Sequence, residues 1–205
     1  MALRLSGNAD ADALLGNDAF ALLIGMVLDQ QIPLERAFSA PHVLRGRLGG
    51  ELSAEAIAQL DPEDLRAAFA NKPALHRFPG AMAERVQQLA QVIVEEYGGR
   101  AATVWEGAEN GAQLLKRLEA LPGFGRQKAK IFLALVGKQL GVRPTGWREA
   151  AAPFGAEGSF LSVADIDGPE SLEKVRTRKR QLKAAAASRG DARTGGAEAP
   201  PVPGQ

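Results

Sequence analysis

The chain has 205 residues, of which 45% are apolar and 24% charged, with a net charge of +1, the makeup of a globular chain with one domain or two small lobes sharing a core. It contains no cysteine, which excludes disulfides, thiolate metal sites, iron–sulfur clusters and a thiol nucleophile. Residues 116–148 carry eight basic side chains against Glu119 alone, and residues 169–205 carry eight basic against four acidic, so the rest is slightly acidic and no general polyanion binder.

The sequence opens with ADAD at 9–12 rather than the basic start of a signal peptide. Its longest apolar run, AFALLIGMVL at 19–28, is too short to span a bilayer. A cytoplasmic protein without a membrane partner is expected. Residues 17–31 read as a helix buried on all sides, opened by an Asn or Asp cap and ended near Pro33, which starts the next helix, through about residue 49. Ser53 and Asp61 open two short helices, the second with Pro62 in its first turn. In residues 80–99, Met82, Val86, Leu89, Val92 or Ile93, and Tyr97 form one stripe, and Gly98 and Gly99 stop the helix. The Pro79–Gly80 pair before it reads as a helix start. Residues 110–121 and 126–140 form two further helices, the second stopped by Gly141. The segment 169–187 has a proline start, good helix formers and a basic middle, fitting either a docked helix or a nucleic-acid-binding arm. From 188 to 205 the chain is rich in Gly, Ala and Pro and is expected to be disordered. No β alternation or repeat appears, so the fold class is all-α.

The stretch LEALPGFGRQKAKIFLALVGKQL, residues 118–140, joins two helices through a Pro-Gly-x-Gly turn. Pro122 fixes one torsion, while Gly123 and Gly125 permit positive φ and the close approach of a bulky strand. The amides of Gly125, Gln127 and Lys128 open a helix whose dipole favours an anion, and Arg126, Lys128 and Lys130 strengthen a phosphate contact without reading sequence. A Walker loop does not fit Gly137–Lys138, because Phe132 stands at its first glycine and Gln139 at its Ser or Thr.

Over residues 14–160 the chain resembles the helix-hairpin-helix DNA glycosylases with a Gly-Pro-Asp loop (HhH-GPD), such as endonuclease III and the alkyladenine glycosylases. The carriers of the resemblance are LLIGMVLDQQIP, RFPGAMAERVQQLAQVIVEEYGG, the hairpin within 114–140, and VRPTGWREAAAPFG. It implies a two-lobed helical bundle over residues 1–187 with a cleft between the lobes. It implies a nucleoid-associated monomer that flips a damaged or mismatched base out of double-stranded DNA and hydrolyses its N-glycosidic bond. No organic cofactor is implied, and the backbone carbonyls of Glu119, Leu121 and Phe124 would bind a monovalent cation such as sodium or potassium.

Gln30 or Gln31, preferably Gln31, resembles the residue that fills the gap left by the flipped base. Bifunctional members carry an attacking lysine where this chain has Gln127; Lys128 is rotated about 100° from that position and is expected on a phosphate, so no lyase chemistry is expected. The family's catalytic aspartate falls near Pro144, in a segment with no acid. Asp29, partly desolvated beside its apolar helix, and Glu149, one turn after the expected position, are the replacement candidates. Trp147 fits a base-stacking platform or the core. His42 and His76 read as structural, with a phosphate contact the alternative for His76. The missing aspartate also fits a catalytically silent, lesion-sensing relative, and a helix-joining turn in an unrelated helical protein is the remaining reading.

Overall fold

A computed structural model describes residues 3–194. Ten α-helices and no strand occur among them, as the periodicity predicts. α1 (Ala9–Asn17), a helix the acidic ADAD start did not suggest, is capped by Asn8, whose side chain accepts the Ala11 amide. Asp18 then caps α2 (Ala19–Leu28) by accepting the amides of Phe20 and Ala21, and every α2 residue from Phe20 to Leu28 is buried. α3 (Leu34–Arg47) packs on α2. α4 (Ala54–Gln59) and α5 (Pro62–Ala70), capped by Ser53 and Asp61, pack on α6 (Pro79–Tyr97). The α6 stripe is resolved in favour of Ile93, and Gly98, at φ 60°, stops the helix in the left-handed region.

The other group of helices follows a short 3-10 turn, Ala101–Val104. α7 (Gly111–Glu119) and α8 (Arg126–Gln139) form the hairpin, and α9 (Trp147–Ala150), too short to show a period in the sequence, packs on both. Gly111 is required where α7 starts: a Cβ there would lie 2.6 Å from the Gly146 carbonyl oxygen and the Trp147 Cα. The Gly111 amide donates to the Thr145 carbonyl at 2.8 Å, which fixes the 142–147 segment against α7. At the far end of α8, the Lys138 ammonium binds Asp165 at 2.5 Å and the Ala156 carbonyl at 2.6 Å, a nearly buried pair holding the 156–165 connection. α10 (Pro169–Thr194) docks through Ser171, Leu172 and Val175. The helix continues past residue 188, where the sequence suggests a tail; the remainder of that tail, 195–205, lies outside the described residues.

Trp147 is part of the core, 5% exposed, and its ring lies across Gly137 of α8. The Arg148 guanidinium also lies against the ring, 4.7 Å from its centroid. Trp147 is therefore packing, not a platform for a base, and the glycine inside α8 is what lets it in. A Cβ on Gly137 would lie 2.5 Å from Trp147 Cε3. Gly137→Ala is expected to destabilise the fold by about 1–3 kcal/mol through overpacking. Urea denaturation measures this, and an unchanged midpoint would place the indole elsewhere.

Candidate active site and nucleic-acid interface

The two groups of helices meet where the C-terminal end of α2 abuts the hairpin. A helix ends with carbonyls that have no intrahelical partner, and these attract cations. The Lys128 ammonium donates to the Val27 carbonyl at 2.8 Å. Gly123, at φ 84°, lies under the same contact: a Cβ there would sit 2.8 Å from Arg85 Cδ and 3.4 Å from Val27 Cγ1. Gly123 is thus required both by its torsion and by the closeness of α2 and α6. The expectation that Lys128 faces a phosphate is corrected, since its amine turns inward to satisfy the end of α2. The Lys130 ammonium is likewise engaged, donating to the Ala152 carbonyl at 3.0 Å beyond α9.

Asp29 follows α2 directly as its C-terminal cap. Its carboxylate accepts no hydrogen bond among the described residues. Burial pushes its pKa above the ordinary carboxylate value, and Lys179 of α10 and then Lys128 pull it partly back. Lys128 feels the reverse: burial and the neighbouring Arg85 lower its pKa to about 8, while Asp29 opposes the shift. A desolvated carboxylate and a desolvated amine from different helices share one spot, the environment in which proton transfer and nucleophilic attack are tuned. Glu149, by contrast, is exposed on α9.

Two glutamines follow Asp29, and they part company. Gln30 folds back, its amide donating to the Val27 carbonyl at 3.1 Å and contacting Met82 Sδ at 3.2 Å. Its own carbonyl is 2.8 Å from the Nε2 of buried His76, whose Nδ1 accepts the Phe78 amide at 3.0 Å. His76 is thereby a pin between α2 and α6, correcting the phosphate alternative. Gln31 is exposed and holds φ 56°, an unusual left-handed conformation for a non-glycine residue. Beside this turn stands Phe78, 45% exposed and flanked by the Arg77 guanidinium at 5.3 Å. Phe78 reads in the sequence as part of a helix start, and Arg85 and Lys179 carry no signal there because only tertiary packing brings them to Lys128 and Asp29 respectively.

On the hairpin itself, α8 starts at Gly125 without a side-chain cap, unlike α1, α2, α4, α5 and α7. No hydrogen bond among the described residues reaches the amides of Gly125, Arg126, Gln127 or Lys128, and the first three residues are exposed. The turn is therefore an open set of donors at a positive helix end, suited to an anion. Arg126 extends over it, 3.9 Å from Glu119 Oε1, a distance too long for a hydrogen bond. Glu119 Oε1 is buried and has no hydrogen-bond partner. The backbone carbonyls of Glu119 and Phe124 also accept nothing among the described residues, while that of Leu121 accepts the Phe124 amide at 3.0 Å. This oxygen-rich, under-satisfied turn fits a monovalent cation. Among the described residues no cluster of three or more His, Asp or Glu side chains could hold a metal ion.

The raised pKa of Asp29 carries a stability consequence. A carboxyl whose folded pKa exceeds its unfolded value stabilises the fold most when protonated, and that contribution is lost as pH rises through the folded pKa. Asp29→Asn is therefore expected to raise the melting temperature at pH 7, with the gain shrinking as pH falls towards the ordinary carboxylate range. A lower melting temperature at pH 7 would show that the carboxylate is stabilised where it sits.

No curated protein matches the sequence significantly. A family description does match: HhH-GPD superfamily base excision DNA repair protein, over residues 24–187. That span runs from within α2 through the hairpin and into α10, taking in Asp29, Gly123 to Lys128 and Lys179. The chain belongs to the HhH-GPD superfamily of base excision DNA repair proteins.

Proposed function

We propose that the protein is a DNA N-glycosylase that hydrolyses the bond between deoxyribose and a flipped, damaged or mismatched base in duplex DNA. The observation carrying this reading is the desolvated Asp29 carboxylate, held at the end of α2 beside a hairpin whose first amides have no partner among the described residues. The hairpin amides and Arg126 hold the backbone of the DNA without reading its sequence. Gln31, exposed two positions after Asp29, and Phe78, exposed next to the His76 that holds the Gln30 carbonyl, occupy the gap the flipped base leaves. As the bond between C1′ and the base nitrogen breaks, the base leaves with the electron pair and positive charge grows on the sugar. The Asp29 carboxylate stabilises that charge and takes a proton from the water that adds to C1′; the leaving base, protonated in turn, restores the balance. A pKa raised towards working pH suits the carboxylate to act as a base. The carbonyls of Glu119, Leu121 and Phe124 would hold a monovalent cation, supplying positive charge towards a phosphate.

A second reading is favoured by Lys128, whose pKa near 8 and position beside Asp29 suit an amine nucleophile. There the Lys128 amine, rather than water, attacks C1′ as the base departs with the electron pair; the proton lost from the nitrogen passes by way of Asp29 to the base, and the N,O-acetal left at C1′ opens to an imine as the second nitrogen proton moves to the ring oxygen.

The test is a panel of duplexes carrying uracil, hypoxanthine, alkylated purines or adenine opposite 8-oxoguanine, followed by alkali cleavage of abasic sites. Excision from at least one is expected, and Asp29→Asn is expected to lower its single-turnover rate by about 10²-fold or more. Binding that weakens with salt, with no excision from any duplex, would assign a silent lesion sensor instead. Because Lys179 lowers the Asp29 pKa, Lys179→Met should move the acid limb of the pH–rate profile to higher pH; an unmoved limb would detach Asp29 from the chemistry. Borohydride trapping separates the two readings, since a covalent adduct abolished by Lys128→Met would establish the amine route and its absence the hydrolytic one.

A further inference from the structure

Among the described residues the burial of α10 is confined to its first two turns. Ser171, Leu172 and Val175 are covered, and from Arg176 to Ala185 every residue is exposed, a projecting length of about 15 Å at the helical rise. Residues 174–183 hold six basic side chains and no acid. Three of the six are ion-paired: Lys174 with Glu170 at 2.5 Å, Arg176 with Glu35 of α3, and Arg180 with Glu173 at 2.7 Å. Arg178 and Lys183 have no partner among the described residues. A helix that is polar all round and leaves the body lacks the apolar stripe that would dock it elsewhere. The Arg176–Glu35 pair and a groove shared by Lys179 with Pro33 and Leu34 fix its direction, past the turn that carries Asp29 and Gln31.

We propose that the exposed half of α10 is a second DNA-backbone contact, with Arg178 and Lys183 neutralising phosphates flanking the nucleotide presented to Asp29. The proposal rests on the reading of the Asp29 turn as the site that receives DNA. A sugar that reaches Asp29 brings its own strand alongside Lys179; Lys183 follows four residues, about 6 Å, further along the helix, and Arg178, one residue before Lys179, lines the neighbouring groove beside Phe160. The contact carries no sequence information, because it is made by long flexible cations on an exposed helix. Leu182 is the one large apolar residue between 176 and 185, so the helix has no face with which to lie in a lipid surface.

The experiment measures affinity for an undamaged duplex and for the same duplex with a lesion, each over a range of salt, using the full chain. Arg178→Glu with Lys183→Glu is compared with Gly125→Val, whose side chain would project into open space from an ordinary φ of −71° and so obstruct an approaching strand without disturbing the fold. The double variant is expected to keep its melting temperature and to weaken both duplexes alike. Its plot of log affinity against log salt should be shallower by about 2, one counterion for each lost phosphate contact. An unchanged slope in the double variant, with binding weakened by Gly125→Val, would overturn the role of α10 while leaving the hairpin reading intact. Affinity unmoved by either variant, or no binding by the wild type, would overturn both. Binding to anionic lipid vesicles that the double variant loses, with DNA affinity unaltered, would give α10 a membrane partner and overturn the proposal.

Discussion

The contact on which the rest of the structure depends is the docking of the α2 C-terminus against the glycine turn of the hairpin. It is made by one hydrogen bond, Lys128 to the Val27 carbonyl, and by a glycine at position 123 that leaves no room for a side chain between α2, α6 and the turn. Both partners are constrained from behind. α2 is buried along its length from Phe20, and α8 is held by Trp147 on Gly137 and by the Lys138–Asp165 pair. With both helices fixed, Asp29 emerges from α2 on the side where α8 exposes its first amides. The proposed catalytic carboxylate and the proposed anion-binding turn are thereby set by the same packing.

That arrangement is electrostatically costly, and the cost is informative. Asp29 and Lys128 each have a pKa displaced by burial against the charged form, yet they come from different helices and share no ion pair within bonding distance. An ion pair serving only the fold would close to hydrogen-bond distance, as Lys138 and Asp165 do. Here the lysine uses its hydrogen bond on a carbonyl and the carboxylate accepts none among the described residues, with Arg85 adding positive potential beside Lys128 and Lys179 beside Asp29. In the proposed complex a negatively charged DNA backbone would lower the cost of the lysines and arginine while leaving Asp29 available to a sugar.

Much of the architecture was legible because local signals and burial agree. Asp18, Ser53 and Asp61 cap the helices expected of them, Gly98 and Gly141 stop theirs in left-handed conformations, and the Pro-Gly-x-Gly turn marks the hairpin. α1 escaped because its apolar positions are few and its start is acidic, and its cap, Asn8, precedes no clear period. At the site, Asp29 and the two glutamines stand out in the sequence because polar residues follow an unbroken apolar helix. The direction of Lys128 does not, since periodicity places a side chain on a face but says nothing of an unsatisfied carbonyl about a hundred positions earlier in the chain. Trp147 was ambiguous for the same reason. Gly137 inside a helix was the clue to its burial, and Phe78 was hidden in a stretch that punctuation alone explained.

The most direct measurement of the central claim is a titration of isotopically labelled protein with a short duplex, following backbone amide and lysine side-chain NMR signals. The account predicts that the largest shifts fall on the amides of Gly123 to Lys128 and on the Asp29–Gln31 turn, with a change at the Lys128 Nζ signal. Shifts confined to other surfaces, with the Gly125, Arg126 and Gln127 amides unmoved at saturation, would contradict it.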